Sequence, residues 1–326
     1  MQIRILSQQD VRQAISMKEA IASMREAFAE LAKGHAHAPL RSVIKVNAED
    51  ASLFMPGFLS GNKQLGVKIV SAFPSNKARQ IPAIHGVVIL IDAETGLPKA
   101  LMDASYLTAL RTGAVSGLAT DLLAAKEASV AAIIGAGVQA RTQLEAVCAV
   151  RNIKEVRIYS RTHESAQALV DSIRDQAGFP HIIKICSTVS EACESADVIC
   201  AATPATEPLV EFEHLKLSVH INAVGSHNYT MREIDESILK QALIVVDQKA
   251  AAIAEAGEII HAIKNGSIQE SDLVELGSLV NSVKFTRDFT KPSLFKSVGL
   301  SIQDVSVAEK VLSLSEQKGL GSMIDL

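Results

Sequence analysis

The chain has 326 residues, 48% of them apolar, and a formal net charge of −4. That length and apolar content allow more than one core, so two domains are expected, and the absence of a basic excess excludes nucleic acid as the main partner. No uncharged apolar run suggests a membrane span, and the opening Met1-Gln2-Ile3-Arg4 has no apolar signal region, so a cytoplasmic location is expected.

Ser16 and Glu19 form a capping-box pattern ahead of Ile21, Met24, Phe28 and Leu31, which recur at helical spacing, and Lys33-Gly34 reads as the helix end. His35 and His37 follow beside Pro39; two histidines without a third ligand do not make a metal site, and none is expected. Strand-like runs occupy 42–46, 65–73, 86–91 and 98–102, with Asp92-Ala93-Glu94-Thr95-Gly96 as the hairpin connection between the last two. Strands in succession without helices favour an antiparallel sheet. Residues 106–125, rich in Ala, Leu, Gly and Thr, read as a closely packed helix. From Ser129 strand and helix alternate. Strands are expected at 130–134, 155–159, 182–186, 198–202, 220–224 and 243–246, and helices at 138–150 and 163–176. Residues 249–264 read as one further helix ending at Asn265-Gly266. An amphipathic helix at 302–314 lies outside the alternation and can return to the first domain. The expected fold is α/β: a doubly wound parallel sheet of Rossmann type at 118–299, and an α+β domain made of 1–117 and 300–326. Cys148, Cys186, Cys193 and Cys200 form no C-x-x-C pair and read as small buried hydrophobes.

Gly135-Ala136-Gly137-Val138-Gln139-Ala140 follows the apolar strand at 130–134 and opens a helix, the context in which a glycine loop holds a dinucleotide. Gly135 permits the turn, Gly137 lets backbone approach a pyrophosphate, and Ala140 lets the helix sit close to the sheet. The helix start adds free N–H groups and a positive dipole end. NAD sites place an acid at the tip of the second strand. Here the tip is Tyr159-Ser160-Arg161-Thr162. Arg161 can pair with a 2′-phosphate, and Ser160 and Thr162 can donate hydrogen bonds, which favours NADP(H), with NAD(H) as the alternative.

Several stretches together resemble the ornithine cyclodeaminase/mu-crystallin family over essentially the whole chain: Leu65-Gly66-Val67-Lys68, residues 107–114 around Arg111-Thr112-Gly113, the Gly135 loop, Asn222-Ala223-Val224-Gly225, and Leu294-Phe295-Lys296-Ser297-Val298-Gly299. The resemblance implies a homodimer whose discontinuous first domain binds substrate and dimerises. It implies an imino- or amino-acid substrate with its carboxylate on Arg41, Lys68 and Arg111, and it adds Thr112, Thr203, Val224, Gly225 and Ser297 as candidate cofactor contacts. Guanidinium forks and a lysine in a partly dry site suit a carboxylate; an ordinary surface charge is the other reading of each.

Cyclodeaminases of this family carry an aspartate in the loop after the fifth Rossmann strand. This chain reads Val224-Gly225-Ser226-His227-Asn228, with His227 at the matching position and Asp235 taken as the nearest acid. The expectation is therefore a reductase that delivers hydride to the C=N bond of a cyclic ketimine, with Lys68 and Arg111 holding the carboxylate. His227 either supplies the imine proton or only shapes the pocket. Ornithine cyclodeamination, alanine-type dehydrogenation and a crystallin-like binding protein are the alternatives.

Overall fold

The computed structural model describes residues 2–325. The chain divides into two compact units, one running to Arg111 and resumed at Leu300, the other Thr112–Gly299. The first boundary falls earlier than residue 117, inside a long helix.

The first unit opens with β1 (Gln2–Leu6), α1 (Gln8–Ala14) and α2 (Met17–Ala32). Both helices start at complete capping boxes, Ser7 with Asp10 and Ser16 with Glu19, which satisfy donors that a helix start leaves free. Ile21, Met24 and Phe28 form the buried face of α2. There follow β2 (Ala36–His37), β3 (Ser42–Lys45), β4 (Ala51–Leu59), β5 (Gln64–Ala72), β6 (Ile84–Asp92), β7 (Pro98–Asp103) and α3 (Ala104–Leu123). β4 to β7 form an antiparallel ladder, with β2 and β3 both paired to β4. The expected antiparallel sheet is corrected at one edge, where β1 lies parallel to β7. Most of the unit separates those two strands, so no hairpin dictates their direction.

The second unit contains β8 (Val130–Ile134), α4 (Val138–Val150), β9 (Glu155–Tyr159), α5 (His163–Ile173), β10 (Ile182–Ile185), α6 (Val189–Cys193), β11 (Val198–Ala201), β12 (His220–Ala223), α7 (Glu236–Leu239), β13 (Leu243–Val246), α8 (Lys249–Glu255), α9 (Gly257–Lys264), β14 (Leu273–Glu275), α10 (Leu276–Val280) and β15 (Ser293–Lys296). All its strands are parallel, in the order β10-β9-β8-β11-β12-β15-β13-β14. The first five give the doubly wound Rossmann order. β15, which the alternation did not reveal, inserts between β12 and β13. The single helix expected at 249–264 is two, with Ala256 extended between them (ψ 107°). Gly257 explains the break: a Cβ there would lie 2.0 Å from the Met231 carbonyl oxygen, so the chain changes direction where it is pressed against the 228–231 loop. Ile133, Leu144, Val147, Val156, Ile158 and Leu169 build the core between sheet and helices. The four cysteines form no disulfide among the described residues, and burial pushes the thiols of Cys148, Cys193 and Cys200 up to about 12.

The chain then returns to the first unit as α11 (Ser301–Lys318) and β16 (Ser322–Asp325), which pairs with β1. α11 packs on α1, α2 and the face of β4 to β6. It lies close against that sheet where Gly57 and Gly66 are cross-strand partners. A Cβ on Gly57 would lie 2.9 Å from Ser301 Oγ, and one on Gly66 would lie 3.3 Å from Val305 Cγ2. Two adjacent strands without side chains thus make a seat for the start of the helix. The helix expected at 302–314 does return to the first unit, and its first two turns are buried throughout.

Candidate functional site

Lys68 lies on β5 two residues beyond Gly66, on the same side of the strand, and so points toward the seated helix. The side chain is 2% exposed. A buried ammonium requires an anion, and α11 supplies it: Asp304, fully buried, lies 2.8 Å from Lys68 Nζ through Oδ2 and accepts from it through Oδ1 at 2.9 Å. Arg111, on α3, donates from Nε to Asp304 Oδ1 at 3.0 Å and from Nη1 to Gln303 Oε1 at 2.7 Å. Asp304 falls in the first turn of α11, where the helix dipole stabilises negative charge. The first unit therefore holds two buried cations around one carboxylate, an excess of positive charge suited to an anionic ligand. Burial lowers the Lys68 ammonium to about 8. The cations of Arg111 and Arg41 push the same way, and Asp304 opposes them. Arg41, half-buried in the loop between β2 and β3, is thus near enough to act on Lys68. The family resemblance brings Arg41, Lys68 and Arg111 forward, whereas Asp304 and Gln303 are marked by no local motif and were missed.

In the second unit the glycine loop has the form its sequence predicts. Gly135 has φ +107°, a left-handed value, and a Cβ there would lie 2.6 Å from the Ala202 carbonyl oxygen, so glycine is required twice over. Its N–H donates to the Tyr159 carbonyl at 2.8 Å, tying the loop to the tip of β9. Gly137 caps α4 with ordinary φ, and a Cβ there would meet nothing within 4 Å. No side chain caps α4, and within its first turn the Ala140 N–H turns back to the Gly137 carbonyl at 3.0 Å. Ala140 is fully buried, whereas Val138 is exposed and Gln139 partly so. This cradle fits a dinucleotide pyrophosphate. At the β9 tip Ser160 is half-buried and Arg161 is exposed, with no ion pair among the described residues. Thr162 stands before α5 and its Oγ1 donates to Ser165 Oγ at 2.7 Å.

Two of the remaining candidates, Thr203 and Gly225, are held by a buried acid. Glu233, not Asp235, is the acid nearest His227 in the chain, and this corrects the sequence reading. Asp235 caps α7, accepting from the Ser237 N–H at 2.8 Å. Glu233 is fully buried. Its Oε1 accepts from the Thr203 N–H and from Thr203 Oγ1, and its Oε2 accepts from the N–H groups of Gly225 (2.7 Å) and Ser226 (3.1 Å). It therefore binds the chain leaving β11 to the chain leaving β12. Burial raises its pKa, while Lys296 and the Thr203 bonds oppose the rise. Lys296, also buried, donates to the Ser226 carbonyl at 2.6 Å and pairs with Glu258 at 3.2 Å. Gly225 is packed so closely that a Cβ would lie 2.1 Å from the Thr203 carbonyl oxygen. His227 is exposed, and its Nδ1 lies 2.9 Å from the Gly225 carbonyl. A carbonyl only accepts, so Nδ1 carries the proton, and Nε2 is the nitrogen that can take up or release one. Ser297 Oγ donates to Asp247 at 3.0 Å, and Asp247 also accepts from the Val298 and Gly299 N–H groups, so the serine hydroxyl serves a clamp on the outgoing chain. Thr112 is buried, its carbonyl accepting from Gln143 Nε2 at 3.1 Å, and Val224 is half-buried.

The model of the ornithine cyclodeaminase/mu-crystallin family matches residues 1–318. A Delta(1)-pyrroline-2-carboxylate reductase of Bacillus cereus is 36% identical over 325 residues, covering 98% of this chain and 99% of the relative. Among solved structures, that of Thermococcus litoralis Delta(1)-pyrroline-2-carboxylate reductase in complex with NADH and L-proline superposes with a TM-score of 0.93 at 39% identity, covering 98% of this chain and 99% of the other. An archaeal alanine dehydrogenase dimer with bound NAD gives a TM-score of 0.92 at 36% identity and full coverage of both chains.

Proposed function

The chain belongs to the ornithine cyclodeaminase/mu-crystallin family, and within it we propose an NAD(P)H-dependent cyclic ketimine reductase that converts 1-pyrroline-2-carboxylate and 1-piperideine-2-carboxylate to L-proline and L-pipecolate. The observation that carries the reading is the centre in which Lys68 and Arg111 share the single carboxylate of Asp304. Its excess positive charge receives the carboxylate of an α-imino acid, with Arg41 adding to the field. A fixed carboxylate leaves the C=N carbon one bond away in a defined orientation, which is the main demand that hydride transfer makes of a protein.

The bound nicotinamide supplies the hydride. The chain's part is to hold the dinucleotide on the 135–140 loop and the start of α4, with Thr112, Thr203, Val224, Gly225 and Ser297 as further contacts. Because the Thr203 and Gly225 N–H groups and the Ser297 hydroxyl are already bonded within the protein, those residues contact the cofactor through their other atoms. Arg161 is the group assigned to a 2′-phosphate, which makes NADP(H) the proposed preference; NADH and NAD are the forms named for the two solved relatives. His227, with its proton fixed on Nδ1, delivers a proton from Nε2 to the imine nitrogen once it is doubly protonated.

The working form proposed is a cytoplasmic homodimer. β3 is exposed along its length, and Val43, Ile44 and, just beyond the strand, Val46 stand more than half open to solvent, apolar surface that a second copy would cover. The family dimer named among the solved relatives makes that occupant the natural one.

The test is NADPH and NADH oxidation followed by absorbance with each cyclic imine, run beside ammonia release from ornithine and NADH formation from alanine. Turnover of the imines, with little ammonia from ornithine, is expected. No turnover at millimolar imine, or ornithine as the better substrate, sinks the proposal.

A further inference from the structure

Asp304 balances charge at the cation centre, but its neighbour on α11 carries a group with no use inside the protein. Gln303 faces Arg111 Nη1 at 2.7 Å. A guanidinium has only donors, so the amide atom that meets it is the oxygen, and the amide nitrogen is the other end of the group. Gln303 is fully buried, and its Nε2 has no hydrogen-bond partner among the described residues. A buried amide donor left unpaired is costly, and such groups are usually satisfied by something the fold was shaped to receive. Two further observations say what that is. The same side chain touches the guanidinium of Arg111, beside the Lys68 ammonium. It also lies in the first turn of α11, whose dipole favours an anion.

We propose that Gln303 is a substrate-binding residue whose amide Nε2 donates a hydrogen bond to the carboxylate held by Lys68 and Arg111. The inference rests on the reductase reading. Its chemistry is a neutral donor added to two cations. The cations attract the carboxylate, and the amide fixes which way it is turned without adding charge to a centre that already has an excess. The tether to Arg111 through Oε1 keeps the amide from flipping, so Nε2 stays directed away from the guanidinium.

The experiment separates direct contact from support of Arg111. Gln303→Leu removes both ends of the amide. Gln303→Glu keeps the size and an acceptor for Arg111 but has no donor. Each is made in the wild-type chain and beside Arg111→Lys, where the fork that Gln303 supports is gone and a charge remains. The readouts are KM for 1-pyrroline-2-carboxylate, kcat, and Kd for L-proline. A hydrogen bond to a charged group corresponds to about 10- to 100-fold in affinity, so KM and Kd rise by that factor in both Gln303 variants while kcat changes less, and the rise persists beside Arg111→Lys. Values within about twofold of the parent overturn the inference, as does a Gln303→Leu effect that vanishes beside Arg111→Lys, which would make Gln303 a support for Arg111 alone. If Gln303→Leu does not fold, Gln303→Met, which has neither a donor nor a charge, decides in its place. A wild-type enzyme that turns over the imine while both variants match it overturns the inference only; a wild type with no turnover overturns the reductase reading and this inference with it.

Discussion

Lys68 and Arg111 bring two cations into the interior of the first unit with one carboxylate between them, whereas the second unit gathers main-chain groups: the start of α4, which no side chain caps, and the three N–H groups that converge on Glu233. The first arrangement depends on charged side chains that nothing nearby can replace. The second depends on the path of the backbone, and so on the few glycines that permit it. Charge substitutions should therefore act on the first unit, and changes of backbone freedom on the second.

The largest effect is expected from Asp304→Ala. It leaves Lys68 and Arg111 buried without an anion, and breaking a buried pair by removing one partner costs about 3–5 kcal/mol. Denaturant unfolding should show that loss, with imine turnover falling along with it. Asp304→Asn keeps the volume but not the charge and should recover only part of the stability. An Asp304→Ala protein as stable as wild type would mean that the two cations are solvated and the contrast between the units is false.

The glycines come next. Gly135→Ala forces a Cβ against the Ala202 carbonyl at a left-handed φ, and strain of that kind costs of order 1–3 kcal/mol. Gly137→Ala is the sharper probe. Its Cβ meets nothing in the protein, so Tm should stay within about a degree while dinucleotide affinity falls about tenfold, the equivalent of ~1.4 kcal/mol. Unchanged affinity would show that the pyrophosphate does not approach there.

The same contrast governs what could be read from sequence. β8, α4, β9 and β13 fall at their expected limits because each is declared locally, by an apolar run or a glycine turn. Lys68 and Asp304 are 236 residues apart and Arg111 and Asp304 193, so their meeting is a product of the tertiary fold. The available signal is indirect: a helix at 302–314 outside the alternation can return to the first domain, and Gly57 and Gly66 stand where it approaches the strands closely. β4 escaped notice because Pro56-Gly57 resembles a turn, and β15 because no helix of the alternating pattern announces it. Glu233 and Asp235 stand in one short run, and the sequence itself shows Glu233 to be the nearer to His227. What it does not display is that Glu233 is buried and bonded to two turns at once.

Lys68 allows the comparison to be tested by pH. Its ammonium, lowered to about 8, is charged below that value and neutral above it. A lowered lysine binds its proton less well folded than unfolded, so fold stability rises with pH between about 8 and the ordinary lysine value near 10.4. Ligand affinity runs the other way: Kd for L-proline should rise above pH 8, by at most about tenfold per unit. Asp304, Arg111 and Arg41 are the charges acting on Lys68. Lys68→Arg, which stays charged, should flatten the profile. A wild-type profile already flat to pH 10 would remove Lys68 from carboxylate binding.

The smallest effect expected is at Arg161, the one place where the second unit is proposed to read charge with a side chain. The guanidinium is exposed and free of ion pairs among the described residues, and Thr162 Oγ1 is already engaged with Ser165, so the preference for a 2′-phosphate falls mainly to Arg161. Arg161→Ala should weaken NADPH by about 5- to 10-fold, the range of a solvent-exposed charge-assisted pair, and leave NADH within about twofold. Because the pair lies in water, its contribution should also shrink as salt is raised well above 0.1 M. Equal loss for the two cofactors would show that Arg161 supports the adenosine generally and that the second unit, like its glycine loop, recognises the dinucleotide through its backbone. A wild type that binds NADH as tightly as NADPH would lead to the same conclusion before any variant is made.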